Sequence, residues 1–341
     1  MSTPSGWELG LLYAALACFA LASLFYIALV TLRPSSDRAK SGLGTVGTIF
    51  ALLSALVLTA WLIHRWLDTG HAPYANLYEY AIAFAWGVAV VYLVLERIYR
   101  VRALGAFVMP VGLLLTLYCL LLPSLQKTGI KNLQPALKSP WLAVHVGTAV
   151  LAYGAVAVGF SAGVVYLLRG AFSSRGAKPT PLFLLTTSAS LVPIWIMWGV
   201  GVLLHRIEPV VRDPLTLSIA FVVFWGFLVF GAYVGRDRLP DPDLLDHIGY
   251  RAITFGFPFL TLMIFTGAIW AERAWGRPWG NDPKEIWSGI TWLVYLAYLH
   301  ARMARGWHGW RAAWLAAIGF GAVLFTLFGV NYLGGLHAYS G

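Results

Sequence analysis

Ten apolar runs divide the chain, near 7–31, 45–66, 77–96, 104–123, 141–168, 181–205, 213–235, 249–272, 285–303 and 311–332. Short polar loops separate them. A helix of ~20 apolar residues crosses a hydrocarbon core of roughly 30 Å, and the runs are of that order. Backbone amides in lipid must find partners within their own segment, so each run predicts a helix. Barrel strands would be shorter and would alternate. The pattern predicts an all-α polytopic membrane protein of about ten transmembrane helices. Residues 1–341 read as a single transmembrane domain, with no run that predicts a soluble domain. The first run, Trp7 to Leu32, has no basic segment before it and is too long for a signal-peptide core, so it reads as a retained helix.

Composition agrees with this. The chain is 59% hydrophobic and 11% charged, with a mean hydropathy of +0.73. A soluble domain with so little charge could not cover its surface. The lipid bilayer is therefore the first partner, and the net charge of +10 does not point to nucleic acid. In membrane proteins Lys and Arg collect in cytoplasmic loops. Fifteen of the 24 Lys and Arg residues fall in one set of loops, which predicts that set on the cytoplasmic side. Both termini and the loop near 273–284 then face outward. Arg273, Arg277 and Lys284 lie in that outward loop against the orientation rule, which suggests a task for them. Cys18 and Cys119 lie inside apolar runs and read as small apolar fillers.

The candidate chemistry lies in WAERAWGRPWGNDPKEIWSGITWLVYLAYLHAR, residues 270–302. It holds Trp270, Trp275, Trp279, Trp287 and Trp292, mixed with Gly, Pro, Arg and Asp. Such an outward-facing loop reads as an aromatic platform for a large planar ligand. His145, near the start of run five, and His337, just past run ten, fall on the same side. Two imidazoles on opposite faces of a haem give a six-coordinate iron. Arg277, Arg273 or Lys284 could pair with its anionic propionates. A lone interfacial histidine is more often a polar contact than a ligand; the combination with the platform makes the case.

His300 lies about fifteen residues past Glu285, ~22 Å along its helix. An ionisable residue inside a span is a functional candidate, although an interhelical hydrogen bond would also account for it. His64, His71, His205, His247 and His308 sit at span ends and read as interface residues. Asp282 before Pro283 is an N-terminal helix signature, which could also hold the loop rigid over a ligand. Glu79 lies near the outer end of its span, where it could pair with an outer cation.

These residues resemble a known family. The 270–302 stretch resembles the tryptophan-rich WWD motif of the haem-handling superfamily. Its DPKE ending, the TWLVYLAYLHAR that follows and the terminal FGVNYLGGLHAYSG resemble the CcsA (ResC) branch. So do GHAPYANLYEYAIAFAW at 70–86 and SPWLAVHVGTAVLAYG at 139–154. The resemblance covers 70–168 and 249–341 in pieces. It implies cytochrome c biogenesis in a bacterial cytoplasmic membrane, with haem b as the bound substrate. It also implies a CcsB (ResB)-type partner and attachment of haem to the CxxCH thiols of apocytochrome c. His145 and His337 match the outer axial ligands, and His300 matches the histidine of a deeper haem site. The chain would then be the haem-binding subunit of a cytochrome c synthase.

Two positions depart from the family pattern. Asn281 stands where a Trp is usual. Spans six and seven, about 181–235, look like a hairpin inserted into an eight-helix core.

On this reading Trp275 and Trp279 pack near the porphyrin, with Trp270, Asp282 and Arg277 completing the site. No residue reads as a nucleophile or general base; haem and the substrate thiols carry the chemistry. Two other readings stand beside it. His300 and Glu79 could be relay groups of an ion-coupled transporter, although no broken helices or repeat halves are visible. Alternatively, the chain could be a scaffold in a cytochrome-maturation complex.

Overall fold

The computed structural model describes residues 6–32, 36–121, 135–173, 226, 229–328 and 330. Eight long helices follow one another among them: α1 (Gly6–Thr31), α2 (Asp37–Thr69), α3 (Leu77–Tyr99), α4 (Gly105–Leu121), α5 (Pro140–Ser173), α6 (Pro242–Trp275), α7 (Pro283–Arg305) and α8 (Trp310–Leu327). Seven are long and apolar enough to cross a membrane. The other, α7, has 23 residues, ~34 Å of helix. Trp287, Trp292, Tyr295 and Tyr298 lower its hydropathy without shortening it. The fold is all-α and polytopic. The proposed hairpin of spans six and seven falls almost wholly outside the described residues.

Helix ends follow local chemistry. Asn76 caps α3 by accepting the Glu79 N–H at 2.9 Å. Asp241 and Asp282 cap α6 and α7, each followed by a proline whose missing N–H costs nothing there. Gly276 and Gly306 end the same two helices at φ 70° and 63°, a backbone that L side chains resist. Two helices begin well before their apolar stretches. α2 begins at Asp37 instead of 45, and α6 at Pro242 instead of 249. Hydropathy marks lipid, whereas helices continue past it.

The helices run alternately up and down, giving the bundle two ends. One carries the loops 70–76, 135–139 and 276–282, and is called here the tryptophan end. The other is tied by arginines. Arg302 grips Asp246 through both carboxylate oxygens at 2.6 and 2.7 Å, and Asp246 also accepts the Gly309 N–H. Arg169 donates to the carbonyls of Leu239 and Pro240, and Arg238 to those of Val30 and Leu32. These bonds join α1, α5, α6, α7 and the turn into α8.

Among the described residues the most extensive helix pairing is α5 with α6. Small residues let the backbones approach. A β-carbon on Gly256 would lie 2.9 Å from the Ala155 methyl, and one on Gly159 would lie 2.8 Å from Ile253. This close pairing positions the site.

Candidate functional site

His145 sits five residues into α5, ~8 Å below the helix start at the tryptophan end. The α5–α6 approach presses its ring against α6. At Gly267 a β-carbon would come within 2.8 Å of both the Cε1 and Nδ1 of His145. Only a residue without a side chain lets the imidazole lie there. One turn earlier, the Met263 carbonyl lies 2.7 Å from Nδ1. A carbonyl only accepts, so Nδ1 is the donor and, in the neutral ring, Nε2 carries the lone pair. A second contact fixes the ring plane. The Trp270 indole stacks on it, with centroids 6.1 Å apart and planes 15° apart.

Trp270 is itself held. It is 2% exposed, its Nε1 donates to the Ala136 carbonyl at 2.8 Å, and Trp275 meets it edge-on at 4.9 Å. Trp270 therefore backs the histidine from within instead of offering an open face. Around these rings lies an apolar cluster of Ala75, Leu142, Val146 and Trp270, with Tyr74, Trp141 and Trp275 at its edge. The Arg273 guanidinium lies 5.5 Å over the Trp141 ring.

The loop after α6 is tied to the start of α7. Asp282, 5% exposed, accepts the Lys284 N–H at 2.9 Å. Glu285 Oε2 accepts the Gly280 N–H at 2.5 Å. Arg277 is exposed, and its guanidinium rests where a β-carbon on Gly280 would stand, 2.6 Å from Cζ. Trp279 is 46% exposed and lies against Gly289, where a β-carbon would meet its ring at 3.5 Å. Burial pushes the Lys284 ammonium down, against the pull of Asp282. The loop thus offers one open indole and one open guanidinium on a fixed backbone.

The structure divides the five tryptophans expected to make one platform. Trp270 and Trp275 join His145. Trp279 stands on the loop. Trp287 packs on Phe325 at 4.2 Å, and Trp292 stacks on Phe257 and donates to Thr261 Oγ1 at 2.9 Å. Trp292 lies ten residues past Asp282, ~15 Å down α7, so it packs helices together.

His300 is far from this assembly, ~27 Å along α7 from Asp282. It is exposed and shares a face with exposed Leu293, Leu296 and Met303. His337, the other expected outer ligand, lies outside the described residues. Glu79 meets its expected cation, with the Arg65 Nε 2.8 Å from its Oε1. Sequence reasoning missed Met263 and Gly267. A backbone carbonyl leaves no mark in a sequence. The glycine, three residues before Trp270 in an apolar helix, was the only visible trace.

Residues 74–337 match the family of the cytochrome C assembly protein. The chain is 40% identical over 309 residues to a cytochrome c biogenesis protein CcsA of Microcystis aeruginosa, covering 87% of each chain. It is 39% identical over 312 residues to one of Gloeobacter violaceus, covering 87% of this chain and 86% of that one. A third, from a Picosynechococcus species, is 38% identical over 309 residues, covering 88% of each.

Proposed function

The chain belongs to the cytochrome c assembly protein family and has its role in cytochrome c biogenesis; from that premise we propose that the tryptophan end holds haem b by its iron and presents it for attachment. The observation that carries this is the setting of His145. Its Nδ1–H is committed to a backbone carbonyl, its ring lies on a glycine, and a buried indole fixes its plane. A ligating imidazole is commonly supported in this way through its other nitrogen, which orients the ring and raises its basicity. His337 is proposed as the second axial ligand. Trp279 and Trp275 are proposed against the porphyrin, and Arg277 at a propionate.

Haem is the substrate, not a resident cofactor. Each thiol of an apocytochrome CxxCH adds across one vinyl double bond. Sulfur bonds the carbon next to the ring, the thiol hydrogen goes to the terminal carbon, and no electrons are gained or lost. The protein must hold haem still with its vinyl edge open, which fixes proximity and orientation. One imidazole then gives way to the substrate's histidine. The arginine-tied end is proposed on the cytoplasmic side of a bacterial inner membrane, with both termini and the tryptophan end outside, as the basic loops suggest. His300, exposed at the opposite end, is proposed as a ligand in an earlier haem site completed by a CcsB-type partner.

The test is spectroscopic. Protein purified from haem-replete cells should be red and show six-coordinate, low-spin haem, and the double variant His145→Ala, His337→Ala should lose that spectrum. A colourless wild type would favour a transporter or a scaffold. A red double variant would place the ligands elsewhere. If His300→Ala left outer haem occupancy unchanged in cells with normal haem supply, the route through His300 would fail.

A further inference from the structure

A second group of charges lies at the tryptophan end, away from the histidine. Glu8 on α1, Arg65 on α2 and Glu79 on α3 meet in the interior, at 1%, 5% and 0% exposure. Arg65 donates to Glu8 Oε1 from Nη1 at 3.0 Å and to Glu79 Oε1 from Nε at 2.8 Å. Burying ionised groups costs much of what their pairing returns, and packed apolar residues often serve stability as well. Stability alone is therefore a weak reason for the triad.

The other oxygen of Glu79 gives the reason a direction. Oε2 accepts the Ala75 N–H at 2.8 Å, and the backbone N–H of Glu79 goes to Asn76 Oδ1 at 2.9 Å. Glu79 thus holds the 70–76 loop at two adjoining residues. Ala75 is 4% exposed and belongs to the apolar cluster that contains Leu142, Val146 and Trp270. Leu142 and Val146 bracket His145 along α5, and Trp270 stacks on its ring. An unbroken series of contacts runs from the ion pairs through one backbone N–H to the support of the imidazole.

We propose that Glu79, steadied by Arg65, is a positioning residue for the His145 site: it sets the seat of the 70–76 loop against the cluster that carries the Trp270–His145 stack. This rests on the haem reading of His145, and the test separates the two. Wild type, Glu79→Ala, Glu8→Gln and His145→Ala are purified with haem. The haem-loss rate to an apomyoglobin acceptor and the low-spin fraction are measured. Amide hydrogen exchange over 70–80 is followed in the haem-free proteins.

Glu79→Ala should lose haem about tenfold faster, as expected on removing an outer support of a ligating imidazole. It should also gain a high-spin band and exchange faster over 70–80. Glu8→Gln leaves the Arg65–Glu79–Ala75 connection in place and should stay within about twofold of wild type in haem loss. Wild-type spectrum, haem loss and exchange in Glu79→Ala would overturn the proposal, as would an equal effect from Glu8→Gln. Should Glu79→Ala fail to fold, Glu79→Gln keeps an acceptor for Ala75 and should fall between wild type and that loss; wild-type behaviour there overturns the proposal equally. A His145→Ala protein with an unchanged haem spectrum would sink the haem reading, and the positioning role with it, even if exchange over 70–80 responded to Glu79.

Discussion

His145 and His300 stand at opposite ends of one bundle and are held in opposite ways. His145 is half-buried, bonded to a backbone carbonyl, pressed onto a glycine and backed by an indole. His300 is exposed on a helix face among exposed leucines and a methionine. The first ring is oriented before any ligand arrives. The second has rotamer freedom that another surface must remove. A site that presents haem for a stereochemically defined bond needs the first kind of setting. A site that hands haem on is served by the second, since release is easier from a ring less firmly held.

The strongest way to break this contrast is His145→Ala. Removing a preset ligand should lower haem occupancy of the purified protein by about tenfold or more, and added imidazole should restore the six-coordinate spectrum. Full occupancy without imidazole would mean the setting of His145 serves packing alone. Next is Gly267→Ala. The new methyl would stand 2.8 Å from two ring atoms, so the ring or α6 must shift, at about 1–3 kcal/mol. A lower Tm and a mixed-spin spectrum are expected; a wild-type spectrum would show that the ring plane does not matter.

A smaller effect is expected from Trp270→Phe, which keeps an aromatic face but loses the bond to the Ala136 carbonyl. The loss should be about 1 kcal/mol in stability, with a slight change in low-spin fraction. A collapse as large as that of His145→Ala would give the indole a role beyond backing the ring. The smallest effect is that of His300→Ala on the purified chain. An exposed side chain outside a packed site should change stability by less than about 0.5 kcal/mol, while haem delivery in cells falls. A marked drop in Tm would show that His300 is embedded after all, and the contrast would disappear.

Much of this arrangement was legible in the residues. Aspartate before proline announced the start of α7, and α7 does begin there with Asp282 as its cap. Glu79 was expected to find an outer cation and finds Arg65. The tryptophan count misled. Five indoles near one loop read as one surface, but 3.6 residues per turn aims them differently, and two of them pack helices. Glu8 drew no notice because its partner lies 57 residues away on another helix.

Taken alone, the amino-acid order determined that this chain is a membrane-embedded helical bundle, where most of its helices lie, and which family it joins. The bundle and its helices follow from transfer of apolar side chains and from local backbone needs, and the family from runs of particular residues, all of them carried by neighbours in the chain. Tertiary structure alone decided which imidazole is locked and which is open, and that a glycine and a carbonyl on α6 do the locking. It also decided that a buried carboxylate on α3 reaches toward the same site through the Ala75 N–H. Those outcomes depend on how closely two helices approach and how each is rotated about its axis, and distant residues set both together.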